Sequence, residues 1–88
     1  MKLQISVQLK PGILDPEARE IQASLQRLGH TQVDTLTVAK AYVLEFDPKK
    51  VSETEAWSCA QQIAAEHLAN PVAQNFQIDR VGAAEEEA

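Results

Sequence analysis

The side chains that could carry catalysis or hold a metal ion are few and stand far apart in this sequence. His30, Cys59 and His67 are the candidates for a general base, a nucleophile or a metal ligand. A zinc site needs about four ligands, and a nucleophilic cysteine needs a base and an orienting partner. No cysteine or acidic cluster stands at ligand spacing from the histidines. We therefore expect no catalytic, cofactor-binding or metal-binding residue in this chain, with Cys59 as a small apolar residue on a helix flank and His67 as a core or interface histidine.

Sites for phosphate and nucleic acid are also disfavoured. Gly12, Gly29 and Gly82 are the only glycines, so neither a dinucleotide-binding nor a P-loop motif can be written. Tyr42 and Phe46 could stack on bases, but the basic surroundings that such a platform needs are missing, so we expect them in the core. Trp57 fits either a core anchor or an interface contact.

Composition narrows the class of protein further. The 88 residues carry a net charge of −5, which falls to −2 without Glu85, Glu86 and Glu87, so there is no basic footprint for nucleic acid. One cysteine excludes an intrachain disulfide. No apolar run reaches the roughly 18 residues of a membrane span, and the alternating N-terminus does not resemble a signal peptide. We expect a soluble, cytoplasmic domain.

Two strands and two helices are predicted with clear ends. Residues 3–9 alternate apolar and polar side chains, which indicates a half-buried strand that stops at Pro11-Gly12. A helix is predicted from Asp15-Pro16 to about Leu28, with Gly29 as its C-cap. A second helix is predicted over residues 53–68, and a final weakly alternating strand over residues 72–81. Ser52 and Glu55 form a capping box at the start of the second helix.

The stretch from Val33 to Asp47 predicts an unusually long strand, because it contains neither glycine nor proline and is rich in β-branched and aromatic residues. About 14 residues at ~3.3 Å each would span roughly 45 Å, which one helix layer cannot cover. The strand must either bend near Ala39-Lys40 or overhang the sheet. An overhang that is apolar on two faces predicts pairing with another chain.

These elements predict an α+β fold with two layers, in the order β-α-β-α-β. An antiparallel sheet with a long bent central strand would carry both helices on one face, as in ferredoxin-like folds. We expect one domain over residues 1–82 and a disordered acidic tail over residues 83–88. Ile13 and Leu14 lie in a loop, where they could either close the end of the core or contact another protein.

Three segments resemble the PurS-type small subunit of phosphoribosylformylglycinamidine (FGAM) synthase. They are the Lys10–Pro16 loop with the helix that ends at Leu28-Gly29, the Val38-Ala39-Lys40 segment, and the Leu68–Val72 segment. The resemblance spans about residues 2–81. Ala39 replaces the family's usual glycine, and the segment from Ala73 to Phe76 replaces a more acidic one.

The resemblance implies a PurS-like fold and a subunit without chemistry of its own in purine biosynthesis. Such a subunit would bridge a glutaminase and an ATP-dependent synthetase, support ammonia transfer, and form a homodimer or homotetramer. ATP and Mg²⁺ would bind in the synthetase, with no cofactor in this chain and no nucleic acid or membrane partner. The residues that the resemblance and the loop positions together suggest for partner contacts are Lys10, Pro11, Gly12, Lys40, Asn70, Pro71 and Phe76.

Two other functions remain open from the residues themselves. One is a ferredoxin-like or ACT-type regulatory module that binds a small metabolite between protomers. The other is a stand-alone enzyme that would assemble a reactive site across a dimer interface, for example from His67 and Cys59.

Overall fold

The computed structural model describes residues 1–82, and the expected tail at 83–88 lies outside them. Its elements follow the predicted α+β order. They are β1 (Lys2–Leu9), α1 (Pro16–Arg27), β2 (Ala39–Glu45), α2 (Glu53–Ile63) with a π-helical continuation (Ala64–Leu68), and β3 (Gln74–Arg80). None of the helices in the described part of the chain has the length and hydropathy to cross a membrane.

The three strands form one antiparallel sheet in the order β2-β1-β3. The first strand of the sequence is therefore the centre of the sheet, and the other two are its edges. Ile5 lies opposite Tyr42 on one side and Ile78 on the other, so these apolar side chains share one face. The alternation that predicted β1 is the alternation between this covered face and the open face.

The core lies between that face and α2. Leu3, Ile5 and Val7 of β1 are buried, as are the three alanines of the second helix and its continuation, Ala56, Ala60 and Ala64. Alanines four residues apart line one side of a helix, and their small size lets the helix approach the sheet closely. Tyr42, Phe46 and Trp57 pack against this cluster. Core packing of the two strand aromatics is thus confirmed.

The predicted helix ends are confirmed by their hydrogen bonds. Asp15 accepts from the amide of Ala18 at 3.2 Å, and Ser52 accepts from the amide of Glu55 at 3.2 Å. Gly29 has φ +93°, and the amides of Gly29 and His30 donate to the last turn of α1. This is a Schellman motif, in which a glycine takes the left-handed conformation at low cost.

The regular part of the long strand is shorter than the predicted 33–47, because only Ala39–Glu45 pairs with β1. The physical reason lies in β1, which stops at Leu9 before Pro11-Gly12 and leaves no neighbour for residues 33–38. These residues extend past the last pair, Gln8 with Ala39. The overhang is therefore the alternative that the structure supports.

α1 does not contribute to the core of the sheet, although both helices were expected to cover one face. Only Ala18 of this helix is buried, while Ile21 is 40% exposed and Leu28, which follows its last residue, is 74% exposed. The radius of gyration is 16.4 Å, against about 12 Å for a compact domain of 88 residues. The helix and the overhanging residues thus extend away from the packed sheet.

Candidate partner-binding surfaces

Two loops that are 60 residues apart in the sequence meet at one end of the sheet. The amide of Lys10 donates to the carbonyl of Ala73 at 2.8 Å. The ammonium Nζ of Lys10 donates to the carbonyl of Pro71, also at 2.8 Å. A single residue therefore fixes the position of one loop relative to the other.

The first loop is shaped by a tight turn. The amide of Ile13 donates to the carbonyl of Lys10 at 3.2 Å, which closes a four-residue turn with Pro11 and Gly12 at its centre. Gly12 has φ +87°, as the third position of a type II turn requires, and proline favours the second position. The sequence Lys-Pro-Gly thus ends β1 and sets the direction of the loop.

The second loop is held by its own polar groups. The carbonyl of Asn70 accepts from the amides of Ala73 and Gln74, at 3.1 and 2.7 Å. The side-chain oxygen of Asn70 accepts from the amide of Val72 at 3.0 Å, and Gln74 Oε1 accepts from the amide of Asn70 at 2.8 Å. Gln74, where the resembled family is more acidic, therefore has an internal role. The result is a rigid turn whose tip residue, Val72, is 81% exposed.

We call residues 10–14 and 70–74 the loop platform. Its only charged residue is Lys10, whose ammonium is bound to Pro71. Leu14, which is 64% exposed, and Val72 give the platform an apolar character. The centre of a protein–protein interface typically has few charged residues and is rich in apolar side chains. The platform can therefore bind an apolar protein surface, and it has no cluster of free charges for a nucleotide.

Phe76 and Lys40 occupy different positions relative to this platform. Both lie opposite Val7, Phe76 on β3 and Lys40 on β2, so about 10 Å of sheet separates their backbones. Phe76 is half-buried and lines a cleft of about 490 Å³ together with Lys10 and Pro71. Lys40 is exposed on the other edge strand. Of the seven predicted interface residues, the structure brings six to one end of β3 and leaves Lys40 apart.

A second surface lies between α1 and the overhanging residues. The loop, one side of α1 from Ala18 to Gln26, and residues 35–38 line an open groove of about 600 Å³, which we call the arm groove. Its apolar lining residues are Leu9, Pro11, Ile13, Leu14, Ala18, Ala23, Leu36 and Val38. Ile13 and Leu14 remain 41% and 64% exposed there, so they do not close the end of the core.

The residues that could have carried chemistry do not form a site. Cys59 is exposed, and His30 and His67 are exposed as well, so of the two positions expected for His67, core or interface, the structure excludes the core. Residues 1–82 contain no group of three or more His, Cys, Asp or Glu side chains that could hold a metal ion. Trp57 is half-buried against the core cluster, which favours the role of a core anchor.

Several residues of these surfaces have no signal in the sequence. Gln22, Val72 and Gln74 are ordinary helix or turn residues by type, and their roles depend on contacts across the fold. Asn70 and Pro71, which precede Val72, are residue types that favour turns. The loop position of Ile13 and Leu14 was the single indication that an apolar surface lies beside α1.

Comparisons with known proteins agree with the fold described above. The family model of PurS, phosphoribosylformylglycinamidine (FGAM) synthase, matches residues 2–82. The PurS subunit of FGAM synthase from Mycobacterium leprae is 34% identical over 76 residues, which cover 86% of this chain and 90% of that protein.

Solved structures share the fold. The crystal structure of the purS subunit of phosphoribosylformylglycinamidine synthase from Thermotoga maritima superposes with a TM-score of 0.81 at 24% identity, covering 91% of this chain and 90% of that one. A chain of the Thermotoga maritima PurLQS structure superposes with a TM-score of 0.74 at 21% identity, covering 91% and 95%. With the family match over nearly all of the described residues, we conclude that this chain belongs to the PurS family of FGAM synthase subunits.

Proposed function

We propose that this chain is the structural subunit that joins the glutaminase and the ATP-dependent synthetase of FGAM synthase. Membership of the PurS family, over residues 2–82, is the observation that carries the proposal, and it makes the chain a PurS subunit of an enzyme of purine biosynthesis. The likeness to a chain of PurLQS supports PurL and PurQ subunits as the partners. The complex would convert formylglycinamide ribonucleotide to its amidine with ammonia taken from glutamine.

The chemistry of ammonia gives a physical reason for such a subunit. In neutral water ammonia is protonated, and ammonium is not a nucleophile. An ammonia-transfer complex therefore has to exclude water between its two active sites, which requires closely fitted subunits. A small domain with rigid loops and exposed apolar surfaces suits this role, and ATP and Mg²⁺ would be bound by the synthetase.

The loop platform is the surface that we assign to a partner subunit. Its two turns are fixed by seven hydrogen bonds that involve Lys10 or Asn70, so little ordering is needed when a partner binds. Val72 and Leu14 project from it as apolar contacts. Lys10 then acts mainly by holding the Asn70-Pro71 turn in place, and Phe76 contributes through the adjacent cleft.

The arm groove is the surface that we assign to a second copy of this chain. Ile13 and Leu14 in the groove are 41% and 64% exposed, and Ile21 and Leu28 on and just after α1 are 40% and 74% exposed. Exposed apolar side chains that lie together are typical of a surface that another chain covers. α1 would then cover its apolar residues on the partner copy, and a homodimer or homotetramer would form in the cytoplasm.

An assay with two nitrogen sources tests the bridging role. Purified synthetase and glutaminase from the same organism are mixed with or without this chain, and amidine formation is measured with glutamine and separately with an ammonium salt. We expect glutamine-driven synthesis to need all three chains, while ammonium-driven synthesis needs fewer. If this chain changes neither rate, the bridging role is wrong. A thermal shift with an amino acid or nucleotide alone would then favour the metabolite-binding module.

A further inference from the structure

The overhanging residues 33–38 receive their hydrogen bonds from α1 instead of from a strand. Gln22 Nε2 donates to the carbonyl of Asp34 at 3.0 Å, and the amide of Leu36 donates to Gln22 Oε1 at 3.4 Å. One turn further along the helix, Gln26 Nε2 donates to the carbonyl of Val33 at 3.1 Å. Glutamines four residues apart lie on one face of a helix, so both reach the same segment. We call this set of three hydrogen bonds the glutamine clasp.

The glutamine clasp replaces a missing neighbour strand. A glutamine side chain carries a carbonyl acceptor and an NH₂ donor group, so Gln22 can both donate and accept, as the backbone of a strand residue does. Its two bonds span Thr35 on the segment, from Asp34 to Leu36. Residues 33–36 are therefore held extended beside α1, although β1 stops too early to pair with them.

The clasp also determines the shape of the arm groove. Leu36 and Val38 line this groove together with Leu14 and Ala18. The clasp ties the segment that carries Leu36 to α1 at Gln22. Without it, residues 33–38 would be held only by their chain connections, through residues 28–32 and at Ala39, and by the packing of their half-buried side chains, so the groove would lose its fixed width.

We propose that Gln22 and Gln26 are positioning residues for self-association, which fix the arm groove before a second copy of this chain binds to it. This inference rests on the self-association that we proposed above and adds the residues that prepare the surface. A segment ordered in advance does not have to be ordered on binding, and each backbone residue that must be ordered weakens binding roughly tenfold. Loss of the clasp is therefore expected to weaken the dimer about tenfold or more.

The test compares Gln22→Ala with Gln62→Ala as a matched control. Gln62 is an exposed helical glutamine whose side chain reaches only Glu66 on its own helix, so its replacement changes composition without touching the groove. The dimer dissociation constant is measured by sedimentation. Hydrogen exchange of the Leu36 amide is measured at protein concentrations below this constant, where the chain is monomeric. We expect weaker association and faster Leu36 exchange in Gln22→Ala, and neither change in Gln62→Ala.

Gln22→Glu separates positioning from direct contact. Glutamate keeps the acceptor for the Leu36 amide and loses the donor to Asp34, so Leu36 exchange and association are expected to be intermediate. Unchanged association of Gln22→Ala, in a protein whose wild type associates, would overturn the inference and leave the proposed function intact. Unchanged Leu36 exchange would overturn it as well. A wild type that stays monomeric at all concentrations would contradict the self-association itself, and with it this inference.

Discussion

The bond from Lys10 to Pro71 gives the sharpest prediction about the loop platform. Lys10→Met keeps most of the aliphatic stem and removes the ammonium that donates to the Pro71 carbonyl at 2.8 Å. A hydrogen bond to a charged group contributes about 1.5–3 kcal/mol, and the partial exposure of this one reduces the figure to about 1 kcal/mol. The backbone bond from Lys10 to Ala73 remains in the variant, so the domain stays folded. The unfolding free energy is expected to fall by about 1 kcal/mol.

Lys10→Met is also expected to weaken binding of the partner subunit. If the partner binds the Asn70-Pro71 turn in the form that Lys10 holds, the lost 1 kcal/mol reappears as about fivefold weaker binding. Binding to the purified synthetase and glutaminase would be measured by calorimetry, and stability by urea unfolding at one fixed protein concentration. Lys50→Met is the control, because it removes the same charge from an exposed residue in another turn. Equal affinities for Lys10→Met and Lys50→Met would show that the Lys10–Pro71 bond has no part in partner binding.

Two further predictions test the core and the tip of the platform. Ala60 is fully buried between α2 and β1, so Ala60→Leu should lower the unfolding free energy by about 1–3 kcal/mol through overpacking. Ser58→Leu, at an exposed position of the same helix, is the control. An unchanged urea midpoint for Ala60→Leu would contradict the close helix–sheet contact. Val72→Asp should change the unfolding free energy by less than about 0.5 kcal/mol, because the side chain is 81% exposed. It should still abolish or strongly weaken binding of the partner subunit. The control, Val43→Asp on the open face of the sheet, should leave this binding unchanged. Binding of Val72→Asp at wild-type affinity would remove this side chain from the interface.

Local patterns in the sequence were sufficient for the elements of the fold. The alternation in β1 and the caps at Asp15, Gly29 and Ser52 each depend on neighbours within a few residues, and each is found in the structure. The length of β2, by contrast, depends on residues far away in the sequence. Residues 33–38 have the composition of a strand, but whether they pair is decided by where β1 ends.

The surfaces were predictable only in part, for a similar reason. Motif residues in the two loops lie together because Lys10 and Pro71 bond across the sheet end, and the sequence identified both loops without showing that bond. Lys40 shares a motif with its neighbours, yet register places it on the opposite edge strand. The exposed side of α1 was expected to be buried, because an apolar stripe does not tell whether its own sheet or another chain covers it.

The most direct test of the bridging role is the composition of the complex itself. Synthetase and glutaminase are mixed at a fixed concentration, and the mass of the largest species is measured by light scattering after gel filtration, with and without this chain. We expect the two large subunits to elute together only when this chain is present, and we expect Lys10→Met to reduce this species while Lys50→Met does not. Co-elution of the two subunits without this chain, or no ternary species with it, would show that this chain does not bridge them.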